Sequence, residues 1–233
     1  MEETFYLTGI VVKREDCREN DSRVFLYTKE KGMIELVARG TKKINSKMAA
    51  HLEPFNLVNL MVVKGRRYDY VGSVISEECF RVIKEDFTKV MVCGRVVGFL
   101  LKNIKFNLPD QDLFDLILDY FYFLEGTDIS KNKKSLVYHF FILNFLAKSG
   151  QGPELYQCVV CGKKIGGGVN GFDFRRGGVS CAEHQVFSVS ENCLKILRYS
   201  LENKLSSVLK IKINISLEKE VKNLVDKINH FQS

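Results

Sequence analysis

Two short pairs of metal-ligand residue types lie close together in the second half of the 233-residue chain. Cys158 and Cys161 are separated by two residues, and Cys181 and His184 follow with the same spacing. A two-residue spacing lets a tight turn direct both side chains at one tetrahedral ion, and two such turns complete a four-ligand shell. The pattern therefore predicts one structural Zn2+ ion held by three thiolates and one imidazole.

The residues between the two pairs favour a small zinc knuckle, which we predict over residues 156–187. Phe172 and Phe174 alternate with polar neighbours, as in a short strand, and seven glycines permit turns with positive φ. These glycines are Gly162, Gly166, Gly167, Gly168, Gly171, Gly177 and Gly178. Because protein ligands fill all four positions, the metal is predicted to stabilise the fold and not to activate water.

The same residues could also be ordinary buried thiols that bind no metal, and two more specific alternatives arise. The first is a CxxC redox pair formed by Cys158 and Cys161, with the third cysteine and the histidine unrelated to it. The second keeps the metal but takes Cys193 as the fourth ligand in place of His184. The matched spacing of the second pair favours the zinc site with His184.

Composition bounds the class of protein. A hydrophobic fraction of 45% in a chain of this length is enough for two ordinary domains with real cores. Seven cysteines and the absence of a short apolar leader indicate a reducing cytoplasm and not a secreted disulfide framework. The longest uncharged run, residues 135–147, is shorter than the ~20 residues of a membrane span. A net charge of +7 indicates a polyanionic partner.

The first 76 residues show the alternating pattern of short strands separated by turn residues. We predict strands over residues 5–14, 23–28, 33–39, 55–63 and 68–76. Five strands, with a longer connection between the third and the fourth, predict a closed barrel of the OB type. An SH3-like barrel is the alternative. Residues 46–52 in that connection contain two alanines and a leucine, which predict a short helix.

Beyond residue 76 the hydrophobic period changes from two to about 3.6, which predicts helices. They are expected over residues 87–102, 109–124, 136–148, 190–204 and 217–231. Pro109 suits a first helical turn, Gly150 suits a helix end, and Ser190 and Ser216 suit N-caps. The predicted fold is therefore α+β: an OB-fold barrel over residues 1–80, then a mainly helical domain over residues 81–233 that contains the zinc knuckle.

No signature of catalysis is found in the sequence. GxxxxGK[ST], GxSxG, HExxH and paired-carboxylate patterns are absent, so the chain is not predicted to be an enzyme. His139 lies in the most apolar predicted helix, with no carboxylate or cysteine at ligand spacing. We interpret it as a core histidine whose hydrogen bonds are satisfied.

Basic residues are segregated within the predicted barrel. Between residues 39 and 67 the only acid is Glu53, and it is outnumbered by Arg39, Lys42, Lys43, Lys47, Lys64, Arg66 and Arg67. Two basic turns from separate hairpins would form one strip that attracts phosphates, whereas the alternative is an ordinary solvated run of charge.

Tyr68 and Tyr70 lie two residues apart on a predicted strand and would share one face, where unstacked bases could pack. The alternative is that they fill the barrel. A second basic group, in the knuckle, would extend a nucleic-acid surface or serve solubility. It consists of Lys163, Lys164, Arg175 and Arg176.

Three features together resemble the RecO family of bacterial recombination mediators over essentially the whole chain. Residues 38–43 read Ala-Arg-Gly-Thr-Lys-Lys and residues 51–55 read His-Leu-Glu-Pro-Phe in the basic barrel. A helical domain follows the barrel. The third feature is the inserted CxxC…CxxH, which is preceded by Gly-Pro-Glu-Leu at residues 152–155 and whose first cysteine pair ends in Cys-Gly at residues 161–162.

The resemblance implies a nucleoid-associated bacterial protein that binds single-stranded and double-stranded DNA and anneals complementary strands. It further implies action on DNA coated by single-strand-binding protein, partnership with a RecR-type protein and help in loading a RecA-type recombinase. The matching positions give DNA-binding roles to Arg39, Lys42, Lys43 and Lys47, and the charge pattern adds Arg66 and Arg67. Two other functions stay open: a zinc-containing protein-interaction scaffold, and an RNA-binding OB protein without annealing activity.

Overall fold

The computed structural model describes residues 3–128, 133–168 and 170–232. The chain is an α+β protein that divides into two compact units, Met1–Thr127 and Asp128–Ser233. The change from strands to helices lies near residue 80, and the first unit continues beyond it through three helices. The domain limits of 1–80 and 81–233 stay a prediction. Among the described residues, no helix is both long and apolar enough to cross a bilayer.

Four antiparallel pairings and one parallel pairing, between β3 and β5, close the N-terminal strands into a barrel of order β1-β2-β3-β5-β4. All five predicted strands are present, with ends shifted by a few residues. Their bounds are β1 (Thr4–Asp16), β2 (Ser22–Thr28), β3 (Gly32–Ala38), β4 (Leu57–Val63) and β5 (Tyr70–Glu78). This order is that of an OB-fold, which confirms the OB prediction over the SH3-like alternative.

The long first strand belongs to both halves of the barrel. Residues 4–10 of β1 pair with β4, and residues 9–16 pair with β2. Gly9 lies at the overlap, where a Cβ atom would come within 2.8 Å of Thr28 Cγ2. A glycine at this point allows the strand to bend closely past its neighbour.

Alternate residues of the strands fill the barrel with aliphatic side chains, which explains the period of two in the sequence. Burying one valine, leucine or isoleucine side chain stabilises the fold by about 1.5–3 kcal/mol. The core consists of Leu7, Val11, Val24, Leu26, Ile34, Leu36, Ala38, Leu52, Val58, Leu60, Val62, Val71 and Val74.

The connection between β3 and β4 is made of turns, so the helix predicted over residues 46–52 is wrong. One helical hydrogen bond forms, from the Leu52 N–H to the Met48 carbonyl. The carbonyls of Ala50 and His51 instead accept the two N–H groups of the buried Asn56 side chain at 3.0 and 2.9 Å. Those carbonyls would be free at the end of a helix over residues 46–52, so Asn56 does not prevent one. A segment of seven residues forms too few helical hydrogen bonds to offset the cost of nucleation, which outweighs the small propensity of the alanines.

Three helices complete the first unit: α1 (Arg81–Glu85), α2 (Phe87–Asn103) and α3 (Gln111–Gly126). Asp86 caps α2, and Asp110 caps α3 by accepting the Leu113 N–H at 3.0 Å. Pro109 therefore precedes the N-cap, and its prediction as a first-turn residue is wrong. The α3 residue Phe114 stacks on Tyr27 of the barrel with ring centroids 6.3 Å apart.

The second unit surrounds α4 (Lys134–Lys148), which is largely buried. Around it are α5 (Glu191–Glu202), a 3₁₀ helix (Leu205–Lys210) and α6 (Ile215–Gln232). A small antiparallel sheet of order β7-β6-β8 forms the rest, with β6 (Asn170–Asp173), β7 (Gly178–Ser180) and β8 (Phe187–Val189). The mainly helical architecture with an insert after α4 is the one predicted. The short strand expected at Phe172 belongs to β6, whereas its partners β7 and β8 were not predicted.

The ends of these helices test the predicted caps. Ser190 accepts the Cys193 N–H at 3.1 Å, which confirms it as the N-cap of α5. Gly150 has φ of 75° and donates its N–H back into the last turn of α4, which confirms it as a helix end. Ser216 lies inside α6, so its prediction as an N-cap is wrong. Asn214 accepts the Leu217 N–H at 2.8 Å instead.

His139 is a buried histidine with partners on both ring nitrogens. Its side chain is 1% exposed, Nδ1 contacts the carbonyl of Ser135, and Nε2 lies 3.1 Å from Asp226 Oδ1. The carboxylate comes from α6, 87 residues away, which no local spacing could reveal. The interpretation as a satisfied core histidine is confirmed.

Candidate nucleic-acid interface and metal centre

The four predicted metal ligands come together in one cluster. The ligand atoms of Cys158, Cys161, Cys181 and His184 all lie within 4.8 Å of one another. Cys161 Sγ is 3.9 Å from Cys181 Sγ, and His184 Nδ1 is 3.3 Å from Cys181 Sγ. Ligand atoms about 2.3 Å (S) and 2.0–2.1 Å (N) from a tetrahedral ion are separated by about 3.5–3.8 Å. The residues present therefore fit one tetrahedral metal ion.

Two tight turns aim the ligands at this point. In the first, the Gly162 N–H donates to the Cys158 carbonyl at 2.8 Å, with Gly162 at φ of 72°. In the second, a 3₁₀ turn (Ala182–His184), the His184 N–H donates to the Cys181 carbonyl at 2.9 Å. The glycine is required because an L side chain rarely adopts that left-handed conformation.

The backbone around Cys158 favours the thiolate. Burial opposes ionisation of this side chain, but N–H groups of Cys181, Cys161 and Val160 directed at the sulfur outweigh it and lower the pKa of the thiol to about 6. The thiolate is the form that binds metal. By contrast, Cys193 is not part of the cluster formed by the described residues, and burial within α5 raises the pKa of its thiol.

The basic residues of the knuckle are partly offset by acids. Lys163 Nζ lies 3.3 Å from Glu183 Oε2, and Arg176 Nε lies 3.8 Å from Asp173 Oδ2. Asp173 also accepts the backbone N–H of Arg175 at 3.0 Å. These contacts leave the knuckle with less uncompensated positive charge than its sequence suggests.

In the barrel, Arg39 joins the two basic segments. Its guanidinium carbon lies 3.9 Å from the centroid of the Tyr70 ring. Val37 pairs with Tyr70 in register and donates its N–H to the Asp69 carbonyl at 3.0 Å. The end of β3 is therefore fixed beside the β4–β5 connection, residues 64–69, which carries Arg66 and Arg67.

The β1–β2 connection, residues 17–21, adjoins the same end of β3. Asp21 accepts the Gly40 N–H at 2.9 Å, and the Asn20 carbonyl accepts the Lys42 N–H at 3.1 Å. Three connections thus meet at one end of the barrel. OB-folds bind nucleic acid with the face of strands 2 and 3 and the two loops that follow strands 1 and 4.

Acids reach some of the predicted DNA-binding residues. Lys42 Nζ forms an ion pair with Asp16 Oδ2 at 2.9 Å. Neighbouring Lys64, which the charge count included, pairs with Glu3 at the same distance. The lysines therefore differ in how much of their charge is offset by acids, a difference that the sequence pattern does not reveal.

The other predicted DNA-binding residues are exposed. Arg67 lies over Tyr68, with 5.4 Å between the guanidinium carbon and the ring centroid. Within residues 3–128, 133–168 and 170–232, no ion pair involves Lys43, Lys47 or Arg66. The partners of Arg39 and Lys42 lie 31 and 26 positions away in the chain, so the sequence carries no local signal for them.

Both sections of the chain match models of one protein family. Residues 1–79 match "Recombination protein O N terminal" and residues 84–232 match "Recombination protein O C terminal". Together they cover the barrel and the helical part with its knuckle. The family expectation from the sequence is therefore met on both sides of residue 80.

Curated relatives agree with these matches. A DNA repair protein RecO of Dehalococcoides mccartyi is 28% identical over 226 residues, covering 93% of this chain and 86% of that protein. The DNA repair protein RecO of Desulforamulus reducens is 25% identical, covering 95% and 86%. That of Gloeobacter violaceus is 27% identical over 185 residues, covering 78% and 70%. The chain belongs to the RecO family of DNA-repair proteins.

Proposed function

We propose that this chain is a DNA-repair mediator that binds single-stranded and double-stranded DNA through one end of its barrel and anneals complementary strands. The observation that carries the proposal is the contact between Arg39 and Tyr70. It brings the basic segment after β3 to the basic β4–β5 connection, as a continuous phosphate-attracting surface requires.

Annealing by such a surface needs no bond to be made or broken, so the proposal assigns no catalytic residue. Two strands repel each other through their phosphates. Lysine and arginine side chains neutralise these phosphates, which lowers the repulsion and releases condensed counterions. Bases can then search for register while both strands are held close. Binding of this kind is sensitive to salt and nearly indifferent to sequence.

The residues that we assign to phosphate contact are not expected to contribute equally. Arg39, Lys43, Lys47 and Arg66 are exposed and carry no ion pair within the described residues. Lys42 contributes less because Asp16 offsets its charge, and Arg67 contributes beside Tyr68. Exposed ion pairs are worth about 0–1 kcal/mol, so DNA can still compete for Lys42.

We propose further that the Cys158, Cys161, Cys181 and His184 cluster holds one structural Zn2+. Three sulfurs and one imidazole nitrogen are the ligand set of structural zinc, and the interatomic distances fit a tetrahedral ion. When bound, the ion supplies a crosslink between two turns 20 residues apart. The four protein ligands leave no position for a substrate.

Family membership supports a wider set of partners for the proposed mediator. These are a RecR-type protein, single-strand-binding protein and, through recombinase loading, a RecA-type protein. We propose that the chain acts at gaps in damaged DNA. There, single-strand-binding protein must be removed from single strands before they pair. The alternatives, a protein-interaction scaffold and an RNA-binding OB protein, become outcomes of the test.

The test is strand annealing with DNA that has been coated beforehand with single-strand-binding protein. We expect the full chain to pair complementary coated strands faster than the coating protein alone, with the rate falling as salt is raised. No acceleration, together with salt-independent or absent DNA binding, would favour the scaffold. Tighter binding to RNA than to DNA strands of equal length, without annealing, would favour the RNA-binding alternative.

A further inference from the structure

A pocket of about 350 Å³ opens in the barrel wall beside β3. β3 pairs with β2 along its whole length but with β5 only at Val37 and Tyr70. The wall is therefore incomplete over residues 34–36, and the buried side chains of Ile34 and Leu36 line the opening. Closed OB barrels of this size usually fill their interior with side chains, so an opening onto the core is a local exception.

The opening leaves the backbone N–H and carbonyl of one β3 residue without a partner on the neighbouring strand. Residues along an antiparallel strand direct their backbone groups alternately to one side and the other. Val37 donates its N–H to Asp69, and the Met33 carbonyl accepts the Asn107 N–H at 2.9 Å, so Glu35 faces the same edge. Outside the β2–β3 ladder, no hydrogen bond among the described residues involves the backbone N–H or carbonyl of Glu35, and β5 does not pair with it.

Aromatic rings surround the opening. Phe5, Tyr68 and Phe106 line it from β1, the β4–β5 connection and the segment between α2 and α3. Phe106 is 48% exposed, although it is held near β3 by a bridge to Met33. Phe5 and Tyr68 are half-buried. One exposed ring and two half-buried rings around an apolar floor are surroundings in which a nucleobase can stack.

Two cations lie at the rim. Lys31 Nζ is 3.7 Å from the centroid of the Phe5 ring, and Arg67 lies over Tyr68. The pocket also contains two carboxylates, but both have partners: Glu35 pairs with Arg23 at 3.0 Å, and Asp69 accepts the Gly65 N–H at 3.2 Å. Of the two, only Glu35 is in an ion pair within the described residues, so Lys31 and Arg67 face one uncompensated carboxylate and the net charge at the opening is positive.

We propose that this pocket binds one unstacked nucleobase of single-stranded DNA, with Lys31 and Arg67 on the phosphates that flank it. The inference rests on the proposed DNA binding and deepens it. A volume of about 350 Å³ lies at the lower end of ligand pockets, which suits one base and not several. The free N–H and carbonyl of Glu35 can meet a donor and an acceptor on the base edge, so several bases are accepted.

A duplex keeps its bases stacked and paired, so it cannot fill the pocket without unpairing. The pocket therefore gives the barrel a preference for single strands, in addition to the phosphate contacts that both forms share. For an annealing protein this has a consequence: once a base pairs with the complementary strand it leaves the pocket, which favours release of the finished duplex.

The test compares two oligonucleotides of about 12 nucleotides, a length within the site size of one OB barrel. One carries a mixed sequence, and the other has the same sugar-phosphate backbone with abasic sites. We expect the full chain to bind the abasic strand about tenfold more weakly, since a stack onto protein rings has roughly that effect. Fluorescence anisotropy of the labelled strands gives both dissociation constants.

Two variants locate the effect. Phe106→Ala is expected to bring the ratio of the two dissociation constants close to one, while the salt dependence stays that of the parent chain. Tyr6→Ala is the matched control, because Tyr6 is a 75% exposed ring next to Phe5 that does not line the pocket. It should leave the ratio unchanged. Photocrosslinking of iodouridine-containing strands to the parent chain is expected at Tyr68 or Phe106.

The outcomes separate the pocket from the proposed function. Equal binding of both oligonucleotides, or crosslinks confined to residues outside the lining, would overturn the pocket while phosphate-based binding stands. Failure to bind either strand at low salt would overturn the proposed DNA binding itself, and the pocket with it.

Discussion

The guanidinium of Arg39 lies over the ring of Tyr70, with 3.9 Å between the guanidinium carbon and the ring centroid. Arg39 follows β3 and Tyr70 begins β5, so the contact ties together two segments that are 31 positions apart. A stacked guanidinium is held in place by the ring while its N–H groups point outward in its own plane, free to bind phosphate. This pair is the centre of the proposed interface.

Replacing Arg39 tests that assignment. Arg39→Ala is expected to weaken binding to single-stranded DNA several-fold and to reduce the slope of log K against log salt by about 0.7–1. Arg39→Lys should restore the slope but only part of the affinity, because an ammonium does not stack or bind bidentately. Lys102→Ala, which removes an exposed charge on α2, is the control and should match the parent chain. Parental binding by Arg39→Ala would contradict the assignment.

Two neighbouring lysines should differ because of one acid. Lys42 is paired with Asp16, whereas Lys43 carries no ion pair in the described residues. We expect Lys43→Ala to lower DNA affinity more than Lys42→Ala, and Asp16→Asn to raise the affinity by freeing Lys42. Filter binding at low salt measures all three variants. Equal losses for the two lysines, with no gain for Asp16→Asn, would show that the ion pair does not persist in solution.

The metal cluster is tested by elemental analysis of protein purified without added zinc. The parent chain should retain about one equivalent, and Cys181→Ser or His184→Ala should retain less than half and unfold at a lower temperature. Cys17→Ser is the control, since Cys17 lies outside the cluster. Retention of a full equivalent by His184→Ala would remove His184 from the ligand set.

Asn56 is expected to hold the basic β3–β4 connection in shape. It is fully buried and donates to the Ala50 and His51 carbonyls. Asn56→Ala leaves buried acceptors unsatisfied and should lower the free energy of unfolding by about 2 kcal/mol. Asn45→Ala, at an exposed site in the same connection, should change it by less than about 0.5 kcal/mol. Urea unfolding of both variants measures the difference, and equal stability would contradict this role.

Local patterns in the sequence were sufficient for most of the architecture. Alternation of two identified the five strands, because one face of each fills the barrel. The cluster at Cys158 was also accessible, since each pair of ligands is separated by two residues and needs only one turn. The helix predicted over residues 46–52 failed because seven residues form too few helical hydrogen bonds to offset the cost of nucleation, and the described residues make one of them, from Leu52 to Met48.

Contacts between distant segments could not be predicted from those patterns. Asp16 offsets Lys42 across 26 positions, and Asp226 meets His139 across 87. β3 pairs with β5 at one position only, which leaves the barrel wall open beside β3. This arrangement depends on how the five strands close, which no window of a few residues encodes. The segregation of charge in the sequence therefore predicts a basic strip on the barrel but not which of its cations are free.

Salt titration of binding to a single-stranded oligonucleotide tests the central proposal most directly. If Arg39, Lys43, Lys47, Arg66 and Arg67 contact phosphates together, log K should fall with log salt at a slope of about −3.5. The double substitution Arg39→Ala with Arg66→Ala should bring the slope to about −2. A slope near zero for the parent chain, or one that the double substitution leaves unchanged, would contradict a phosphate-binding surface at this end of the barrel.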